Sequence, residues 1–209
     1  MMVRSPTVPR KVWKRVGNLY LSGLPMREVA AHLNTSIDAI AYVLRKTEVP
    51  RRSFAEAQRL VFETKTPSFH LRGSLSKKEK EVELTGAMLY WAEGYKRDTA
   101  SGIDFANSDP EMINMFLQFL RARYVLNTNR LHCSVYCYKN QDLESLIKTW
   151  SRILGLSRRS FKNHYIKQNF KTDSRQLPYG VLHVRYNDKK LLQDVLNLIE
   201  SYKRKYLLR

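Results

Sequence analysis

Cysteine is scarce: Cys133 and Cys137 are the only two in 209 residues. That is too few for a disulfide framework or a four-cysteine zinc site, and a reducing cytoplasm is the plain expectation. Long apolar runs are absent too, and none approaches the ~18 residues of a membrane-spanning helix. Met1 to Arg15 is basic but has no apolar h-region, so no secretory signal is expected. There is no Walker loop, GxGxxG or GxSxG, so nucleotide-fuelled and serine-hydrolase chemistries find no support. His70, His132, His164 and His183 stand at no metal-ligand spacing. Neither an internal repeat nor a low-complexity tract is present.

Acidic residues are also few. Asp and Glu number 19 against 37 Lys and Arg, which leaves a net charge of +18 and a pI near 10.0. The excess is spread along the chain, with 16 basic and 6 acidic residues in 1–80 and 21 and 13 in 81–209. A basic tail on a neutral enzyme would put the excess at one end. Two basic halves point to a polyanion, with nucleic acid ahead of an acidic membrane surface or a ribosomal role. The 43% hydrophobic content is enough for a core, which excludes global disorder.

Three textures follow one another. Residues 1–63 read as a three-helix DNA-binding module, 64–80 as a linker rich in turn formers and charge, and 81–209 as mixed α and β. The expected class is therefore α+β. In the first stretch Val16, Leu19 and Tyr20 give one helix an apolar face. Gly23 can stop that helix, and Pro25 suits the first turn of the next. Asn34 and Thr35 make a tight turn, and Ser36 is a natural N-cap for a helix running to about Lys46. Gly23, Glu28, Val29, Ala30, Leu33, Ser36, Ile40 and Leu44 together resemble the helix-turn-helix of resolvase and sigma-factor type regulators; the bland alternative is a ligand-free three-helix bundle. If it binds DNA, Ile37, Asp38, Ala41, Tyr42 and Arg45 would read the major groove, with Arg27 and Ser36 on phosphates. Arg51 and Arg52, on an extended arm after Pro50, suit a minor groove or form a solvated turn.

In the second half, Leu84 to Trp91 is apolar on most sides and reads as a buried helix ending at Glu93-Gly94. A carboxylate at the negative end of a helix is unfavourable unless a cation answers it. A metal would do so, as would Lys96 or Arg97. Strands are expected at Gly102–Ala106, Leu131–Tyr138, Ser160–Ile166 and Tyr179–Tyr186. Helices are expected from Met112 to about Tyr124, over Asp142–Leu154 and over Lys189–Tyr202. Lys162 and His164 would share one strand face, His183 and Arg185 another. Cys133 and Cys137 would both face one side of their strand, as buried thiols.

The Ala92-Glu93-Gly94 helix end followed by alternating strands and helices resembles the LAGLIDADG family of homing endonucleases and their non-cutting relatives, over about residues 84–205. A helix inserted after the first strand departs from the family's plain αββαββα order. The resemblance implies double-stranded DNA as partner. A single motif implies a homodimer, its two motif helices pairing through small residues, here Gly86, Ala87 and Ala92 beside bulky Met88, Tyr90 and Trp91. Beside a more distant reading as an RNA or ribosome partner that uses the basic sheet, two outcomes of the resemblance stay open. In one, Glu93 and the Ala92 carbonyl hold Mg²⁺ for phosphodiester hydrolysis, helped by Lys96, Arg97 or Arg185. In the other the protein is a transcription-regulator-like binder that does not cut. In both, Lys162, His164, His183 and Arg185 would lie along the DNA. A cytoplasmic location, nucleoid-associated in a bacterium, goes with either.

Overall fold

The computed structural model describes residues 8–168 and 177–207, so residues 1–7 of the amino-terminal stretch lie outside the described residues. The chain is mixed α and β and divides into two compact units, Met1–Lys65 and Thr66–Arg209. Among the described residues no helix is long and apolar enough to cross a membrane.

The first unit is helical. Helix α1 spans Trp13–Leu21, α2 Met26–His32, α3 Ile37–Lys46 and α4 Phe54–Thr64. Gly23 turns the chain after α1 at φ +108°, a conformation that a Cβ would strain. Pro25 is the N-cap of α2. Asn34, at φ +48°, turns the chain between α2 and α3, and the Ser36 hydroxyl caps α3 by accepting from Ala39 N at 3.2 Å. Val16, Tyr20, Val29, Ala30, Ile40, Val43 and Leu44 form the core with Val8. Helix α4 opens with a Ser53–Glu56 capping box and buries no residue.

The expected linker is not one. Residues 66–80 belong to the second unit, where Phe69–Leu71 forms strand β1 against β3 (Tyr124–Leu126), and α5 begins at Lys77. Phe69 is buried, and the Ser76–Glu79 capping box starts α5 seven residues before the apolar pattern does. Polar spacing alone hid both. Ser68 adds to the anchoring, since its hydroxyl and amide both donate to the buried Asp188.

The main sheet of the second unit contains β2 (Ile103–Asn107), β4 (Leu131–Tyr138), β5 (Tyr165–Lys167) and β6 (Val181–Tyr186), in the order β2-β6-β4-β5. Strand β5 runs parallel to β4, and the other pairs are antiparallel. Helices α5 (Lys77–Glu93), α6 (Pro110–Arg123), α7 (Leu143–Leu154) and α8 (Lys189–Tyr206) complete this unit's long elements. Ile103, Phe105, Cys133, Val135, Leu182 and Val184 share one core with Phe116, Trp150 and Val195 of the helices. Both cysteines are buried in this core, and burial pushes the Cys133 thiol up to about 12. It is therefore inert at neutral pH.

One expected strand is largely displaced. Residues Ser160–Ile166 do not run as a regular strand, because Asn163 takes φ +56° and breaks the alternation. Phe161 bridges Cys133, and regular pairing begins only at Tyr165.

Helix α5 meets α6 at Gly86. A Cβ there would lie 2.1 Å from Phe119 Cβ and 2.2 Å from its Cγ. The small residue is what allows Phe119 to reach zero exposure. The small side of α5 that the resemblance assigns to pairing with a second copy is thus filled at Gly86 from within the chain. We expect Gly86→Ala to destabilise the protein by about 3 kcal/mol, the upper end of ordinary overpacking. Thr85→Ala, on the exposed side, should stay within ~0.5 kcal/mol. Chemical denaturation of the two variants checks this.

Candidate nucleic-acid interface

Two surfaces collect the residues singled out by sequence. On the first, α3 turns Ile40, Val43 and Leu44 inward at 0–1% exposure. Its helical period then leaves Ile37, Asp38, Ala41, Tyr42 and Arg45 on the outer side. Ile37 and Tyr42 are 46% and 42% exposed, so two large side chains stand on this outer side. Arg45, already named, is joined near Tyr42 and Trp13 by two cations that the motif did not single out, Arg10 and Lys46. Arg45 and Lys46 lie 5.8 and 5.9 Å from its ring, Trp13 packs edge-on at 6.2 Å, and Arg10 sits 5.7 Å from the Trp13 ring. None of the three cations forms an ion pair with a carboxylate among the described residues. Arg10 and Trp13 precede the motif, so no motif spacing could single them out; only the packing of α1 on α3 brings them there.

Other candidates have internal partners. The Ser36 hydroxyl is committed to its own helix end. Arg52 is not on a free arm. Its guanidinium lies 4.1 Å from the Tyr20 ring and donates to the carbonyls of Tyr20 and Leu24, and its amide donates to the Tyr20 hydroxyl at 2.8 Å. This arginine closes the α1–α2 turn, and a minor-groove contact would have to break that closure. Arg51 and Arg27 are exposed.

The second surface is the face of the main sheet opposite the core. Register places Asp104 beside Arg185, Ala106 beside His183, and Ser134 and Tyr136 across from His183 and Val181. Asp104 accepts from Arg185 Nε at 2.9 Å and from His183 Nδ1 at 2.8 Å. The other two guanidinium nitrogens reach Ser134 Oγ at 3.1 Å and the Tyr136 hydroxyl at 3.0 Å. Burial works against the Asp104 charge, but the hydrogen bonds from His183 and Arg185 outweigh it and hold its carboxyl below the ordinary value of 3.8. His183 and Arg185 do share a face, as their alternation predicts. Their shared carboxylate is one that no motif singles out, although Asp104 between Ile103 and Phe105 is the alternation of a half-buried strand.

His164 turns inward instead: its Nδ1 accepts from Val135 N at 3.1 Å, taking the place of a ladder partner beside the Asn163 turn. Burial and the nearby Arg158 lower its pKa, which keeps the ring neutral and able to accept. Lys162 is exposed and does not share a regular strand face with it.

Glu93 is exposed at the end of α5, and the conflict that suggested a metal is answered by an amine. Lys96 Nζ donates to the carbonyls of Trp91 at 2.8 Å and Gly94 at 2.7 Å, and reaches that of Tyr90 at 3.4 Å. A cation at the negative helix end is the favourable arrangement. Arg97 instead sits 5.8 Å from the Tyr95 ring. Among the described residues no three His, Cys, Asp or Glu side chains converge as metal ligands. Within one chain Glu93 and the Ala92 carbonyl are two oxygen donors, and the single-motif reading takes the second carboxylate from a second copy.

Comparison with protein-family models, curated proteins and solved structures finds no match to this chain.

Two outcomes are expected from this geometry. Asp104 stabilises the fold fully above the unfolded carboxyl value and ceases to do so as pH falls through its lower folded value. Wild-type stability should therefore drop more steeply below about pH 4 than that of Asp104→Asn, measured by urea unfolding across pH. At the helix end, Lys96→Ala should cost about 1 kcal/mol, while Glu93→Gln should change stability by less than ~0.5 kcal/mol in either direction. A large loss in Glu93→Gln would give that carboxylate a partner this arrangement lacks.

Proposed function

We propose that this protein binds double-stranded DNA sequence-specifically, with the first unit acting as a helix-turn-helix module and α3 as the helix in the major groove. The observation that carries the reading is the outer side of α3. It presents exposed Ile37, Asp38, Tyr42 and Arg45 with the further cations Arg10 and Lys46, and none of the three cations has a carboxylate partner among the described residues. Tyr42 and Arg45 would contact base edges, and Arg10, Lys46 and Arg27 would hold phosphates and set the register. A chain at +18 supplies the long-range attraction.

Of the two outcomes the LAGLIDADG-like resemblance leaves open, the non-cutting regulator is the better supported. Lys96 occupies the helix end beside Glu93, so the charge conflict there is answered without a metal. The pairing of two motif helices would also compete with Phe119 for the space at Gly86.

The test is selection of bound sequences from a random duplex pool, followed by fluorescence anisotropy on the selected site. Tyr42→Ala and Arg45→Ala should each cost ~1–3 kcal/mol on that site and narrow the gap to random duplex. Lys46→Ala should weaken both duplexes alike and reduce the salt slope by about 0.9. Variants of α3 that bind and discriminate like the wild type would leave the first unit a ligand-free bundle.

A further inference from the structure

The polar face of the main sheet is built differently from the α3 surface. Its strongest cation, Arg185, is held by Asp104, Ser134 and Tyr136, so it is poorly placed to follow a phosphate backbone. What the face presents instead is aromatic. Tyr136 packs against His183 at 4.1 Å and against Tyr165 at 5.4 Å, and the Tyr165 ring is left 56% exposed. Beside them a cavity of about 160 Å³ is walled by Tyr136, Tyr138 and Tyr165, with Lys167 at its rim 5.5 Å from the Tyr138 ring. Gly180 forms part of its lining at φ +62°, where a Cβ would come 2.6 Å from the Tyr136 carbonyl. The loop there is pinned close to β4, and the hollow persists beside it.

We propose that this face binds single-stranded RNA, with one unpaired base entering the tyrosine-walled cavity and a neighbouring base stacking on Tyr165. Three features carry the choice of ligand. Stacking on tyrosine requires bases free of a duplex, whereas the α3 surface suits a closed groove. Exposed Lys162 and Lys167, in a chain at +18, supply the attraction for a phosphate strand that Arg185 does not. The Asp104 charge is balanced by Arg185, and with one acceptor position on each oxygen taken the carboxylate still accepts from a hydroxyl. The 2′-hydroxyl is the donor that RNA has and DNA lacks. Ser134 and the Tyr136 hydroxyl bind the same arginine, which holds the carboxylate in place.

The site lies wholly in the second unit, so it stands or falls apart from the DNA reading of the first. The test uses the full chain and a labelled single strand of roughly 12 nucleotides, as RNA, as DNA of the same sequence, and as the DNA duplex. The RNA should bind more tightly than the single-stranded DNA. Tyr165→Ala should weaken RNA binding about 10-fold and leave duplex affinity within about twofold, and Tyr165→Trp should keep RNA binding. Lys167→Ala should weaken RNA binding and flatten its salt dependence. Tyr42→Ala should do the reverse, weakening the duplex and sparing the RNA. Because Tyr165 is more than half exposed, its alanine variant should fold, which its far-ultraviolet dichroism checks. Unchanged RNA affinity in Tyr165→Ala would overturn the proposal. So would equal binding of the single-stranded DNA, or a tryptophan variant as weak as alanine. Loss of duplex binding alone would overturn only the DNA reading.

Discussion

Asp104 accepts hydrogen bonds from Arg185 and His183 at once, and that pairing governs what the main sheet can present to any ligand. Without the carboxylate, β6 would display a free arginine and histidine side by side, a surface suited to phosphates. With it, the guanidinium is drawn flat across three strands, from Asp104 on β2 to Ser134 and Tyr136 on β4. The charge is largely cancelled and the side chains become rigid. An arginine with its nitrogens committed in this way stabilises its surroundings more than it attracts a ligand. The face consequently presents its tyrosines more than its arginine.

The opposite layer depends on a close apolar contact and on an ion cluster. Phe119 fills the place that a side chain at position 86 would take, so α5 and α6 approach closely and Tyr90, Phe105 and Phe116 stack beneath them. Once this contact is made, the end of α5 is fixed next to the Gly94–Phe105 bridge, and Lys96 comes within reach of three carbonyls. A cluster at the far side ties the same helices to α8. Arg123 on α6 bonds Glu83 on α5 and Asp194 on α8, while Tyr124 and Tyr202 donate to those carboxylates. Losing one member of such a cluster leaves another polar group buried without its partner. The apolar contact and the ion cluster therefore hold one helix layer from two sides.

Local grammar made much of this legible. Strand β4 lies where alternation places it, and α6, α7 and α8 begin at capping residues that are readable by eye, Asp109, Asp142 and Asp188. Ser36 and Asn34 set the turn before α3 for the same reason: caps and left-handed turns are decided within four residues. Strand β1 was not legible, because three residues with one buried side chain carry no period. The break at Asn163 was missed because a lone asparagine in a polar run is only weak notice of positive φ.

The sequence by itself determined the two-part organisation, the α+β class, the basic character of both halves and which side of α3 faces out. Each follows from composition or from a period shorter than two helical turns. Tertiary structure alone decided which of the many cations remain available. Arg52 lies 32 residues from Tyr20 and Arg185 lies 81 from Asp104, and Lys96 can cap α5 only after the chain turns back at Gly94. A charged side chain's partners are set by distance in space, which no local pattern encodes. The residues singled out as one set of DNA contacts therefore separate into exposed side chains, internal struts and a neutralised pair.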